Sequence, residues 1–363
     1  MLFRFFTILL LLSLLVHDSA IAQLKTENVV LVTLDGMRWQ ELFQGADRDI
    51  INCKKYVKDP KSIKDRFWDN NPVVSREKLF PFIWSTIASQ GQIYGNRTLG
   101  NKVNVANRYW FSYPGYNELL TGYPDRRINS NARRNNPNQT ILEFVNQQKE
   151  YKNKVAAFAS WDVFHYIINQ QRSGIHINAG NDTAKAQRLS ARELYLNHLQ
   201  ASSPSPWGST RFDEFTHQYA REYFKRDNPR LLLIAYGETD EYAHQGNYSS
   251  YLKSANKTDS YIKEIWEWIQ SSEQYRNKTT MIITTDHGRG NGKHTWRGHG
   301  KGKKGSNSTW FMVIGPDTSP LGEMKEKAHY YNNQLAQTIA AFLNISYPHA
   351  GRESEPIATA FEK

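Results

Sequence analysis

Three short apolar runs in this chain each lead into an aspartate: residues 28–34 into Asp35, residues 231–236 into Asp240, and residues 281–285 into Asp286. His287 follows Asp286 directly, and His244 lies four residues after Asp240. Two more histidines, His294 and His299, sit in the glycine-rich loop that leaves the third run. A single aspartate after a strand can simply cap a turn. Three of them, two with a nearby imidazole, suit a metal site better than a core. Carboxylate oxygens mixed with imidazole nitrogens fit zinc, with manganese or iron as further candidates. Six or more such ligands exceed what one tetrahedral ion takes, so a two-metal site follows. Two ions about 4 Å apart can clamp the attacking and leaving oxygens of an in-line displacement.

Such a site needs a nucleophile, and Ser112 is the best candidate. It precedes Tyr113-Pro114-Gly115, with Gly122 as a stop, so it suits the N-cap of a short helix. At that position its oxygen meets free backbone N–H groups and the positive end of the helix dipole, which also suit a phosphoryl oxygen. Position alone leaves two roles open, capping and nucleophile.

The elements that would carry these residues alternate. Buried strands are expected at residues 28–34, 154–160, 231–236, 281–285 and 310–315, with a further strand at 92–98. Helices are expected at 79–89, 112–122, 140–148, 251–270 and 332–343, and across 184–225 with a break at 202–207. This alternation predicts an α/β fold: a doubly wound, mostly parallel sheet with helices on both faces. In such sheets the ligand crevice lies at the carboxyl ends of the strands, where the three aspartates fall. Residues 39–66 show no period and read as a surface excursion. Asp259 reads as a cap or surface residue beside the apolar face of its helix.

At 363 residues, with 39% hydrophobic and 13% aromatic content, the chain can bury one large core. Arg4, the apolar run 5–16 and Ala20-Ile21-Ala22 form a secretory pattern, so residues 1–22 are expected to be a signal peptide cleaved near Ala22. Residues 23–363 would then form a single exported domain with surface insertions and no membrane-spanning segment. Cys53 is the only cysteine, which excludes an intramolecular disulfide and favours a bacterial periplasm. The formal charge of +11 invites an anionic partner. The basic residues are scattered, however, and no aromatic-and-basic motif for sequence-specific nucleic-acid binding occurs. The densest cluster is Arg289, Lys293, Arg297, Lys301, Lys303 and Lys304, either a solvated loop or an attractor for an anionic substrate. Oligomeric state is not legible.

The segments LVTLDG, SYPGYNELLTGYPD, GETDEYAH, TTDHGRG and WRGHG, in this order, resemble the alkaline phosphatase superfamily. Within it they are similar to the nucleotide pyrophosphatase/phosphodiesterase branch and related bacterial phosphatases. The resemblance spans residues 29–315. It implies that Asp35, Asp286, His287 and Ser112 hold one zinc, and that Asp240, His244 and His299 hold the other. His299 is preferred over His294 because it ends a W-x-x-H-G segment, Trp296 to Gly300. The implied reaction is phosphoric ester hydrolysis through a phosphoseryl intermediate on Ser112, one metal activating the serine and the other serving the leaving group and the incoming water. Backbone N–H groups after Ser112, and an Asn or a basic side chain, would stabilise the transition-state charge.

Two departures stand out. Gly115 occupies a place where the phosphodiesterase branch usually has Asn. The branch's later Asn, which holds a phosphoryl oxygen, corresponds to Asn131 or Asn129 only with a shifted spacing. A sulfatase of the same superfamily is the nearest alternative, but Tyr116 stands where its modification motif needs Arg. A zinc-binding homologue without turnover is the other alternative. Monoester and diester substrates are not distinguished. Trp161, Asp162, Tyr166 and Arg172 could line the pocket, and Tyr236, Trp296 and Trp310 could face either an apolar leaving group or the core.

Overall fold

The apolar runs fold as the middle of an eight-stranded sheet in the computed structural model, which describes residues 24–348 and 355–361. The expected signal peptide lies outside the described residues. The strands are β1 (Asn28–Leu34), β2 (Gln92–Tyr94), β3 (Lys102–Asn104), β4 (Val155–Ala159), β5 (His176–Ala179) and β6 (Leu231–Tyr236). They continue with β7 (Thr279–Thr284), β8 (Ser308–Thr309), β9 (Phe311–Ile314), β10 (Gly322–Glu323) and β11 (His329–Tyr331). The large sheet runs β10-β2-β9-β7-β1-β6-β4-β5, and β11-β3-β8 form a small second sheet. Strands β7, β1, β6, β4 and β5 are parallel, and only β9 runs against its neighbours β7 and β2. This is the doubly wound, mostly parallel α/β architecture expected.

Both faces of the central strands are buried, which is why they read as continuous apolar runs rather than alternating ones. Val30 and Val32 of β1 face a core shared with the Tyr248–Ser271 helix, while Val29 and Leu31 face a core shared with the Ser112–Thr121 and Gln334–Phe342 helices. The register aligns the three aspartate-bearing ends. Thr33 of β1 pairs with Ala235 of β6 and with Thr284 of β7. Asp35 and Asp286 therefore emerge at one level, with Gly237 beside them. The chain fills one side of β1 with β6, β4 and β5 and the other with β7 and β9, which puts a topological switch point at β1.

Several local expectations are corrected. Residues 39–66 are not a surface excursion: they form the helices Trp39–Gln44, Arg48–Ile51 and Pro60–Phe67, and Leu42, Ile50, Ile51, Val57 and Phe67 are fully buried. Helices of one or two turns are too short to display a 3.6-residue period; Asp47 and Asp59 cap the second and third, and the first has no side-chain cap. The helix expected at 79–89 is present over residues 81–90, with a π-turn at Ile83–Ile87, and a separate helix at Pro72–Leu79 precedes it across a break at Phe80. Asp259 is buried, not on the surface, and its carboxylate accepts the backbone N–H groups of Phe82 and Ile83 at 2.8 and 3.0 Å. It caps a segment far from its own helix. The strand expected at 92–98 ends at Tyr94, because Asn96 caps a 3-10 turn at Arg97–Leu99. Within 184–225 the helices are Ala191–Ser202, opened by a Ser190/Glu193 capping box, and the start of Asp213–Asp227.

Candidate metal centre

The strand ends bring two sets of side chains together. In the first, His287 Nε2 lies 3.4 Å from Asp35 Oδ1, 3.5 Å from Asp286 Oδ2 and 3.3 Å from Ser112 Oγ. Asp286 Oδ1 accepts the Gly36 N–H at 3.0 Å, which orients the carboxylate and leaves Oδ2 turned inward. Asp35 Oδ1 and Asp286 Oδ2 are both buried without a hydrogen bond. His287 Nδ1 lies 2.9 Å from the Gly288 carbonyl. That contact places a proton on Nδ1 and makes Nε2 the ring nitrogen that faces the carboxylates, the one a metal would take.

In the second set, His244 Nε2 is 3.1 Å from Asp240 Oδ2 and 2.9 Å from His299 Nε2, and His299 Nε2 is 3.6 Å from Asp240 Oδ1. Asp240 and His244 share one face of the Glu238–Gln245 helix because they are four residues apart. Thr239 Oγ1 donates to the Asp35 carbonyl at 2.6 Å, which ties that helix to the end of β1. The His287 and His299 rings stack at 4.1 Å and join the two sets. Each of the groups Asp35/Asp286/His287 and Asp240/His287/His299 offers one ligand atom per residue, all within 4.8 Å of one another.

Electrostatics point the same way. Burial, then the neighbouring Asp240, raise the Asp35 carboxyl, and burial and Asp35 raise Asp286 well above the carboxylate range. Burial disfavours the His287 cation, but Asp286 and Asp35 outweigh it and bring its pKa up to about 9. Burial and His287 push His299 well below its usual value. A carboxylate cluster that must borrow protons is short of positive charge, and a divalent cation would reverse the shifts of Asp35, Asp286 and His287 and deepen that of His299. The donor types, the inward orphaned oxygens and the fixed tautomer fit such an ion.

Ser112 is corrected from N-cap to first helical residue: Phe111 holds the cap position and makes no side-chain cap. The preceding Trp110 has φ +58°, a left-handed conformation rare for a large residue. It is held by Asn107, whose Oδ1 accepts from the Tyr109 and Trp110 N–H groups and whose amide donates to the buried Glu118. This turn hands Ser112 Oγ to His287. The backbone donors expected after Ser112 are taken or absent. Tyr113 N–H donates to Asn131 Oδ1 at 3.0 Å, Pro114 has none, and Gly115 N–H donates to the Phe111 carbonyl. Tyr116 is fully buried, edge-on to Phe164.

A cleft of about 160 Å³ opens over this centre. Asp35, Ser112, Asp240 and His244 line one part of it, and Asn131, Trp161, Thr210 and Glu241 the other. Asn131 lines this cleft with Ser112 and Asn129 does not, although both are exposed. A larger groove of about 710 Å³ runs along the Tyr248–Ser271 helix, and of the metal-ligating residue types it holds only Asp259 and Glu267. Of the other pocket candidates, Asp162 pairs with Arg133, and Arg172 pairs with Glu143. Tyr236, Trp296 and Trp310 belong to the core. His294 is exposed, 3.3 Å from the Tyr56 hydroxyl, outside both sets.

The basic cluster splits. Lys293, Lys301, Lys303 and Lys304 are exposed, whereas Arg289 is buried and ion-paired to Asp240. Sequence reading missed Arg289 as part of the centre. Its only local signal is a position two residues after His287, which any loop arginine could occupy.

Comparison with known proteins was consistent with this geometry. The family model described as type I phosphodiesterase / nucleotide pyrophosphatase matches residues 46–299. No curated protein matches by sequence. Among solved structures, the wild-type alkaline phosphatase PafA is 10% identical, with a TM-score of 0.58 over 94% of this chain and 100% of that one. A phosphonate monoester hydrolase from Silicibacter pomeroyi is 13% identical, with a TM-score of 0.57 over 93% of this chain and 76% of that one. BT1596, a 2-O GAG sulfatase, is 12% identical, with a TM-score of 0.56 over 93% and 75%. At these identities the likeness is one of fold.

Proposed function

The chain belongs to the type I phosphodiesterase / nucleotide pyrophosphatase family, and from that premise we propose that it is an exported, two-metal phosphoric ester hydrolase with Ser112 as nucleophile. The observation that carries this reading is the convergence of Ser112 Oγ, three carboxylates and three imidazoles, with Ser112, Asp35, Asp240 and His244 lining one cleft. Asp35, Asp286 and His287, with Ser112, would hold one ion, and Asp240, His244 and His299 the other. Zinc suits this set best, with manganese as the alternative. Such ions supply concentrated positive charge, which lowers the pKa of a hydroxyl and neutralises phosphate oxygens.

The residues then have defined tasks. Ser112 gives up its proton, and Oγ attacks phosphorus as the ester's alcohol leaves from the opposite side. Water afterwards breaks the Oγ–P bond, which frees phosphate or its monoester and restores the hydroxyl. With Tyr113, Pro114 and Gly115 unable to donate from the backbone, we assign the donor's task to the Asn131 amide N–H, which lines the same cleft as Ser112. Its Oδ1 is occupied by Tyr113, which leaves the NH2 to meet a phosphoryl oxygen. Export is supported by the pattern of Arg4, residues 5–16 and Ala20-Ile21-Ala22. A sulfatase activity is disfavoured by the buried Tyr116 at the position where that chemistry needs an arginine.

The test compares nitrophenyl phosphate, bis-nitrophenyl phosphate and nitrophenyl sulfate with zinc-loaded protein, alongside Ser112→Ala. Phosphate-ester turnover that disappears in the variant supports the reading and decides between monoester and diester. Preferential sulfate turnover, or bound zinc without hydrolysis of any ester, would sink it.

A further inference from the structure

We propose that Arg289 is a positioning residue that assembles the second ligand set, Asp240, His244 and His299; this rests on the two-metal reading above. The Arg289 side chain is completely buried and its donors are spread over three anchors. Nη1 pairs with Asp240 Oδ1, Nε donates to the Trp296 carbonyl at 2.9 Å, and Nη2 donates to the Arg297 carbonyl. Trp296 and Arg297 close the turn over residues 293–297, two residues before His299. One guanidinium thus fastens the carboxylate of the Glu238–Gln245 helix to the loop that delivers the last histidine.

The rest of the surroundings are built for that bridge. The Trp296 ring packs at 5.0 Å from Tyr248 and 5.6 Å from Tyr251, so the far side of the loop is fixed in the core. Arg297 Nη2 donates to the His244 carbonyl at 3.1 Å and fastens the other end of the same helix to the same loop. Gly36, at φ +58°, leaves the space: a Cβ there would lie 2.6 Å from Arg289 Nη1 and 2.8 Å from Asp240 Oδ1. A larger residue at position 36 would drive the guanidinium off the carboxylate.

Charge explains why this set needs geometric help. The first set carries two carboxylates, Asp35 and Asp286. The second carries one, Asp240, already neutralised by Arg289, so an ion there is held by placement of its donors more than by net negative charge. Lysine cannot take over, because its ammonium is a point charge without the planar fork that reaches two carbonyls and a carboxylate at once.

The test is calorimetric titration of metal-free protein with Zn²⁺, and with Co²⁺ for its absorption signature, using wild type, Arg289→Lys and Arg289→Gln. The proposal expects two ions per wild-type chain. Both variants should bind the first with unchanged affinity and the second about 10- to 100-fold more weakly, as for other residues that orient metal ligands. Unchanged affinity for both ions in both variants overturns it. So does tighter binding of the second ion by Arg289→Gln, which would mean that the guanidinium only repels. Loss of both ions together with the folded far-ultraviolet spectrum makes Arg289 merely structural and also overturns it. A wild-type chain that binds fewer than two ions removes the two-metal reading and this proposal with it.

Discussion

Ser112 Oγ and His287 Nε2 stand 3.3 Å apart across the cleft, although 175 residues separate them in the chain. His287 Nε2 also faces Asp35 and Asp286, so the serine hydroxyl lies among the first set of ligands rather than beside it. As the proposed nucleophile, Ser112 should be needed for turnover. Ser112→Ala is expected to lower kcat on phosphate esters by at least ~10³-fold, with little change in fold. Turnover within about tenfold of wild type would remove Ser112 from the reaction.

Asn131 makes a different kind of contribution. It holds the Tyr113 N–H through Oδ1 and presents its amide to the cleft. Asn131→Ala is expected to reduce kcat/KM by ~10²-fold, the usual effect of losing one preorganised donor. Losing the Tyr113 contact should lower stability by only about 1 kcal/mol. Steady-state kinetics combined with urea unfolding separates the two effects, and a loss of stability without a loss of kcat/KM would make Asn131 a purely structural residue.

Gly115 lets the Ser112 helix approach the end of β7. A Cβ at that position would lie 2.4 Å from the Asp286 carbonyl oxygen, a backbone atom that cannot move aside cheaply. Gly115→Ala should therefore destabilise the fold by about 1–3 kcal/mol and shift Ser112 away from His287, so that kcat falls as well. The Asn usual in the resembling branch should be worse than Ala here. A Gly115→Ala enzyme as stable and as fast as wild type would show that the close approach is unnecessary.

The His165–Asp182 pair, Nε2 to Oδ2 2.9 Å, links the segment after β4 to the end of β5. The hydrogen bond to Asp182 raises His165, so its contribution is complete below the ordinary histidine pKa and is lost as pH rises through the raised value. Burial acts to raise Asp182, but the His165 contact and the Ala179 N–H outweigh it and lower that carboxyl. Its contribution is thus present above the ordinary aspartate pKa and is lost as pH falls through the lowered value. The pair is worth most between those limits. His165→Gln should lose roughly 0.5–1 kcal/mol in mildly acidic solution and less in alkaline solution, a small figure because both partners are partly solvated. Urea midpoints on either side of neutrality measure this, and equal losses at both would deny that the histidine is charged in the fold.

Much of the site was legible because strand ends have a sequence signature. A β-branched apolar run that stops at Asp35 or Asp286 specifies both a buried parallel strand and the residue at its carboxyl end. The Asp240/His244 spacing places both on one helix face wherever that helix packs. What had no signature was anything that depends on a partner far along the chain. Residues 39–66 looked aperiodic because their helices are short, and only tertiary contacts bury them. Asp259 caps a turn 177 residues away, which no local pattern records.

The amino-acid sequence by itself determined the strand-and-helix order and the aspartates and histidines at the strand ends, which follow from local polarity and spacing, properties of neighbouring residues. The assignment of ligand sets and of Ser112 as nucleophile came from the family resemblance. The tertiary structure decided which of the loop residues join the centre. It sent His294 outward, brought His299 against His244, buried Arg289 against Asp240 and occupied the backbone donors behind Ser112. Those outcomes depend on sheet register, on the space left at Gly36 and Gly115, and on which polar groups must find partners once water is excluded.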